Sequence, residues 1–251
     1  MAWVESISPS FKARHDSEQG DEASRVLYSL ERAREELSQY FERTPGDLTV
    51  ILHRGSLSLA LSNPLVPMSW ALTAPAARRY IAGWVGSSEL HILDTPTLHG
   101  RASNVPGSRE MLELTGAALY ARRVIAENNG DLPRTITPTR IRLELRWAWL
   151  LEGGARWFSG QTDYAQPAIA RRLREGRRPE FPPGLRDAAL LGGTVIDLLA
   201  RERGVPAAKE FVTQLHPQGA RPALSKAFGG RPLVHTEGAW RSHLARLASA
   251  G

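Results

Sequence analysis

Apolar positions along the chain follow two patterns, and the change between them lies near residue 105. In the first part, residues 21–42 carry apolar side chains at every third or fourth position, which predicts a long amphipathic helix. The members of this row are Val26, Leu30, Ala33, Leu37 and Phe41. Short apolar runs at 10–15, 48–53, 79–85 and 89–93 predict β-strands around that helix.

Helical spacing dominates the rest of the chain. Ser108 can cap a helix that extends to about residue 127, and Pro138 favours the start of another that extends to about residue 158. Shorter helices are predicted at 166–175, 185–202, 207–215 and 236–247. This order predicts a single α+β domain over residues 1–251, with a small mixed β-sheet and a long helix at 1–105 and a mainly helical lobe at 106–251.

The composition is that of a soluble globular protein, with 42% apolar and 23% charged residues. The chain contains no cysteine, which excludes disulfides, thiolate metal sites and a cysteine nucleophile. Its first residues lack the basic and apolar regions of a secretory signal, and no apolar run approaches the roughly 20 residues of a membrane span. We therefore expect a cytoplasmic protein without a membrane span.

The net charge of +6 raises the possibility of a nucleic-acid-binding protein. The basic residues are almost all arginines and are scattered along the chain, and only residues 171–178 hold a cluster of them. No aromatic residues alternate with that cluster, as single-strand binders tend to show. Nucleic-acid binding is therefore the third of three functional hypotheses.

Three stretches of the sequence carry a resemblance to a known family. Residues 149–158, WLLEGGARWF, are similar to the W-L-x-E-G-x-A-x-[YW]-F signature of the gluzincins, the thermolysin-like zinc metallopeptidases of the peptidase MA class. Residues 112–120, LELTGAALY, resemble the family's H-E-L-T-H-A-L-L-Y helix. Residues 224–229 and 237–244 resemble the A-F-G and W-R-x-x-L segments that close bacterial peptidase-MA-like domains.

The resemblance implies a zinc site that this sequence has lost. In the family, two histidines on one helix and a glutamate on a second helix hold the metal, and a further glutamate takes a proton from the bound water. These roles map onto Leu112, Gly116 and Glu152 as ligand positions and Glu113 as the base position. Both histidines are missing, and the chain has no histidine between His99 and His216.

Each retained carboxylate has a structural explanation beside the functional one. Glu113 is either a helix residue paired with an arginine or a polar group kept in the old cleft. Glu152 stands in an apolar run, and a partly buried carboxylate requires a partner, so its structural role would be an ion pair with Arg122, Arg123 or Arg146. Gly116 in the middle of a helix indicates that another backbone approaches closely at the place where a histidine and metal would have been.

The leading hypothesis is a catalytically inactive metallopeptidase homologue, a pseudopeptidase that binds a peptide or protein in the old cleft. It needs no cofactor, and the strand at 89–93 would be the sheet edge that pairs with the ligand. The alternative is a hydrolase with a rebuilt metal site, in which Glu113, Glu152 and a histidine such as His91 bind zinc or another metal.

Overall fold

The computed structural model of the protein describes residues 3–135 and 137–249. Five strands form one mixed sheet: β1 Trp3–Ile7, β2 Phe11–Asp16, β3 Leu48–His53, β4 Gly83–Val85 and β5 Glu89–Leu93. Their order across the sheet is β1-β2-β3-β5-β4. Strands β2, β3 and β5 are parallel, and each outer strand pairs antiparallel with its neighbour.

Helices make up most of the remaining described chain. In order they are α1 Gly20–Ser38, α2 Ser56–Ser62, α3 Leu65–Leu72, α4 Pro75–Arg78, α5 Thr95–Arg101, α6 Ser108–Glu113, α7 Thr115–Asn128, α8 Pro138–Arg146, α9 Ala148–Phe158, α10 Gln166–Leu173, α11 Leu185–Arg203, α12 Val205–Val212, α13 Ala220–Ala227 and α14 Leu233–Ser249. Among the helices between Trp3 and Ser249, none combines the length and apolar character that a bilayer crossing requires.

The predicted fold class is confirmed: an N-terminal mixed sheet precedes a mainly helical part. The sequence pattern missed β1 and the break at Leu114, which separates α6 from α7. It was also wrong about the sheet edge. Strand β5 lies between β3 and β4, because the turn at 86–88 folds β4 back along it, so β4 is the edge strand.

Helices α1 and α7 pack together beside the sheet. The apolar row predicted for α1 is buried except for Val26, which is partly exposed. A Cβ built on Gly116 of α7 would lie 3.6 Å from Ile92 of β5 and 3.9 Å from Leu30 of α1. Gly116 therefore faces the apolar core between helix and sheet. The predicted close approach of another backbone was wrong, because the atoms nearest to this position belong to side chains at ordinary contact distance.

Helices α9 and α11 approach each other to backbone contact. A Cβ on Gly153 would collide with the backbone of Gly192, and a Cβ on Gly192 would collide with the carbonyl oxygen of Trp149. Only glycine fits at both positions, because the obstacle is main chain that cannot rotate away. This contact fixes the rotation of α9 about its own axis.

We predict that Gly153→Ala lowers the free energy of unfolding by about 1–3 kcal/mol or more, because the added methyl group separates the two helices. Gly238→Ala in α14 is the matched control. A Cβ at Gly238 would meet nothing within 4 Å, so alanine should stabilise the protein by up to ~1 kcal/mol. Urea unfolding of both variants measures the difference, and equal effects would contradict the close helix contact.

Two histidines form a buried pair in the sheet. The ring nitrogens His53 Nε2 and His91 Nδ1 lie 2.9 Å apart, and Trp84 stacks on His91 with 4.1 Å between ring centroids. Burial and, to a smaller extent, the neighbouring His91 together lower the pKa of His53 to about 4. Burial also lowers the pKa of His91, against the opposing effect of Glu89. Both histidines are therefore neutral in the folded protein at neutral pH.

This pair makes stability depend on pH. The folded-state pKa of His53 is below its ordinary 6.5, so the unfolded chain binds more protons as the pH falls from 6.5 towards 4. We predict that stability falls by on the order of 2 kcal/mol between pH 6.5 and pH 5. Denaturant unfolding at both pH values tests this. His53→Asn should flatten the dependence, and an unchanged slope would show that His53 is not its source.

Candidate functional site

A cleft with a volume of about 340 Å³ opens beside the edge strand β4. Helix α3 contributes one part of its lining, the α3 wall, and α7, α8, α9 and the first residues of α11 contribute another, the helical wall. Strand β4 also lines the cleft. The cleft therefore joins a sheet edge to a groove between helices.

The edge of β4 offers backbone groups to this cleft. Leu93 donates a backbone hydrogen bond to Ala82 at 3.1 Å, and Gly86 donates one to Glu89 at 2.8 Å. Antiparallel pairing alternates, so the N–H and C=O groups of every second residue point towards β5. The intervening residues Gly83 and Val85 therefore direct their backbone groups away from β5, to the open edge.

The α3 wall is apolar. Leu65, Met68 and Leu72 recur at helical spacing, line the cleft, and are 46%, 43% and 51% exposed. Leu119 and Ile141 add apolar surface on the helical wall. Exposed apolar surface that is concentrated along a groove is typical of a binding site.

Charged side chains line the helical wall. Arg122 donates to Glu152 at 3.2 Å and lies 3.5 Å from Glu144, and Arg140 donates to Glu144 at 2.8 Å. The side chain of Arg122 is only 12% exposed, so this network is partly shielded from solvent. The ion pair that would give Glu152 a structural role is present, with Arg122 as the partner among the three candidates.

A second arginine lies deeper in the same wall. Arg156 is 7% exposed and donates to Gln161 Oε1 at 2.8 Å and to the backbone oxygen of Tyr80 at 3.1 Å. Both acceptors are neutral. Burial lowers the pKa of the Arg156 guanidinium, and the negative charge of Glu152 opposes that effect. Within the described chain, Arg156 Nε and the hydroxyl of Thr115 on α7 are buried without a hydrogen-bond partner.

The structure separates the residues that the resemblance assigned to one zinc site. Leu112 is fully buried in the core, and Gly116 faces the sheet. Glu113 accepts from His99 at 2.8 Å and from Arg109 at 3.2 Å, as the arginine pairing predicted. Of these positions only Glu152 lines the cleft.

The alternative metal site is not assembled either. The ring of His91 lies between His53 and Trp84 and is not part of the cleft lining. Over residues 3–135 and 137–249, no group of three or more histidine, aspartate or glutamate side chains is placed to hold a metal ion. Glu113 and Glu152 have different hydrogen-bond partners and do not share a site.

Sequence reasoning missed Arg156 and Thr115. The available signal was a charged residue in the apolar segment 149–158, four positions after Glu152 and so on the same face of the helix. No family model, curated protein or solved structure matches this chain.

Proposed function

We propose that the protein binds an extended segment of polypeptide in this cleft and does not hydrolyse it. The observation that carries the proposal is the open edge of β4 directly beside a largely apolar groove. An extended peptide that adds to a sheet edge gains main-chain hydrogen bonds, and side-chain pockets beside the edge supply specificity. The cleft provides both kinds of contact.

The peptide would lie along β4 as a sixth strand of the sheet. One of its residues would exchange hydrogen bonds with the outward N–H and C=O groups of Gly83 or Val85. Its side chains would alternate between two directions. One set would meet the apolar face of α3, and the other would meet the helical wall that carries Arg122 and Arg156.

The gluzincin resemblance adds sequence support for a pseudopeptidase, and Glu152 is the one mapped position that connects it to this cleft. A peptidase of that family would place two histidines at positions 112 and 116, where this chain has leucine and glycine. Substitution of these residues removes the water-activating metal chemistry but leaves strand addition possible. A pseudopeptidase that retains peptide binding fits this combination.

Nucleic-acid binding has less support, because two of the five arginines in the cluster at 171–178 are in ion pairs and one of these two is buried. Arg172 is 1% exposed and donates two hydrogen bonds to Asp187, and Arg177 donates to Glu180 at 3.0 Å. A groove that tracks phosphates needs cations that are available to the ligand.

We predict that Val85→Pro weakens peptide binding about tenfold, the equivalent of ~1.4 kcal/mol, because proline lacks the outward N–H group. That group is not part of the β4–β5 ladder, and prolines are tolerated on edge strands, so the fold should persist. The probe is a mixture of synthetic N-acetylated hexapeptides, and mass spectrometry of the fraction retained on immobilised protein gives the affinity.

Ile7→Pro is the matched control. The backbone bond from Ser8 to Phe11 sets the alternation in β1, so the N–H group of Ile7 also points outward, but on the opposite edge of the sheet. This variant should bind peptides like the wild type. Equal losses in the two variants, or no loss in Val85→Pro, would exclude β4 as the binding edge.

A further inference from the structure

We propose that the deep end of the cleft is a carboxylate-binding subsite, formed by Arg156 of α9 and Thr115 of α7. This inference rests on the proposed function and specifies its ligand: a peptide that presents an acidic side chain or its C-terminal carboxylate. Both residues line the cleft, and each has a buried polar atom that is unpaired within the described chain.

The buried guanidinium of Arg156 is the first observation that supports a carboxylate subsite. A guanidinium group has five N–H donors and always carries its charge, and burying a charge is unfavourable unless it is paired. The two acceptors that contact Arg156 are an amide oxygen and a backbone carbonyl, and no carboxylate of the described residues is in ion-pair contact with it. A ligand carboxylate in the cleft would supply the missing charge, and a small shift of the side chains that cover Nε would let this atom donate to it.

The charges around the cleft are the second observation that supports a carboxylate subsite. Four arginines and two glutamates line it. Both glutamates are already paired with Arg122, and Glu144 also pairs with Arg140. Arg123 pairs with Glu127 at 2.8 Å. Arg156 is therefore the one arginine of the lining without an ion-pair contact among the described residues, and Glu152, one helical turn away, is the carboxylate whose charge acts on it. Its buried position strengthens its attraction for an anion.

The buried hydroxyl of Thr115 is the third observation that supports this subsite. Its residue is 4% exposed, and its Oγ1 atom has neither a donor nor an acceptor among the described groups. An unpaired buried hydroxyl destabilises a fold, so its presence beside a binding cleft calls for an explanation. As a donor to one oxygen of a carboxylate, it would complement Arg156, which can bind the other oxygen.

The chemistry favours a carboxylate as the anion. Its two coplanar oxygens match the planar guanidinium and one additional donor. A phosphate at neutral pH carries up to two negative charges and three acceptor oxygens, for which a single unpaired arginine is insufficient. A phosphorylated peptide is therefore the competitor to include in the test.

The test compares four pools of N-acetylated hexapeptides on immobilised protein. Three are C-terminal amides that carry glutamate, glutamine or phosphoserine at the varied position, and the fourth has a free C-terminal acid and no acidic side chain. We expect the wild type to retain the glutamate or the free-acid pool about tenfold better than the glutamine pool, the equivalent of ~1.4 kcal/mol. Better retention of the glutamate pool would identify a side-chain carboxylate as the ligand group. Better retention of the free-acid pool would identify the C-terminal carboxylate.

Two variants connect this preference to the subsite. Thr115→Val removes the unpaired hydroxyl without changing the shape of the side chain, so we expect its Tm to rise by about 2–4 °C while its preference for the acidic pool falls. Arg156→Gln should reduce the ratio between retention of the preferred acidic pool and retention of the glutamine pool to about one. Thr213→Val, a substitution outside the cleft lining, should leave it unchanged.

The outcomes separate this inference from the proposed function. Equal retention of all pools by the wild type, or an acid preference that survives both Thr115→Val and Arg156→Gln, would overturn the carboxylate subsite and leave peptide binding intact. A preference for the phosphoserine pool would also overturn it. Retention of none of the pools would overturn the proposed function, and the subsite with it.

Discussion

The backbone contact between α9 and α11 is the constraint on which the cleft depends. Gly153 and Gly192 let the two helices touch without intervening side chains, which fixes the rotation of α9. Glu152 and Arg156, one helical turn apart, are consequently held on a face of α9 that meets the cleft. A side chain at Gly153 would displace both charges together. Gly153, in the segment 149–158 that resembles the gluzincin signature, therefore has a structural role that does not require a metal.

The cleft combines stabilising and destabilising features. Glu152, Glu144, Arg122 and Arg140 satisfy one another, so the network at the mouth of the cleft needs no ligand. Deeper in the cleft, Arg156 and the hydroxyl of Thr115 remain incompletely paired. Natural proteins tolerate such local costs at functional sites, where a ligand supplies the missing interactions. This contrast within one wall distinguishes structural charges from those available for binding.

The sequence predicted the helices and strands that have a local pattern of apolar residues. It missed the features that depend on which strands pair across the sheet. The apolar row of α1 and the buried strands β3 and β5 were recognisable, because burial imposes a period on each of them. Strand β1 was not predicted, because it is an edge strand whose apolar residues Trp3 and Ile7 are exposed. The identity of the edge beside the cleft could not be derived, since it depends on which strands pair across the sheet.

In the candidate site, too, some contacts could be predicted from the sequence and others could not. The ion pair of Glu152 was predictable, because a carboxylate in an apolar helix needs an arginine within reach and few were available. The break at Leu114 has no glycine or proline signal, and α6, which holds Leu112 and Glu113, ends before it. Leu112 is buried in the core and Glu113 binds His99 outside the cleft, so the motif alignment could not place these two residues.

Amide hydrogen exchange at β4, followed by NMR in the presence and absence of a saturating retained hexapeptide, tests the central claim most directly. In the free protein the Trp84 amide, which points towards β5, should exchange slowly, while the amides of Gly83 and Val85 should exchange fast. We expect bound peptide to slow exchange at Gly83 and Val85. Unchanged exchange at both residues under saturation would contradict this expectation and would show that the peptide binds elsewhere.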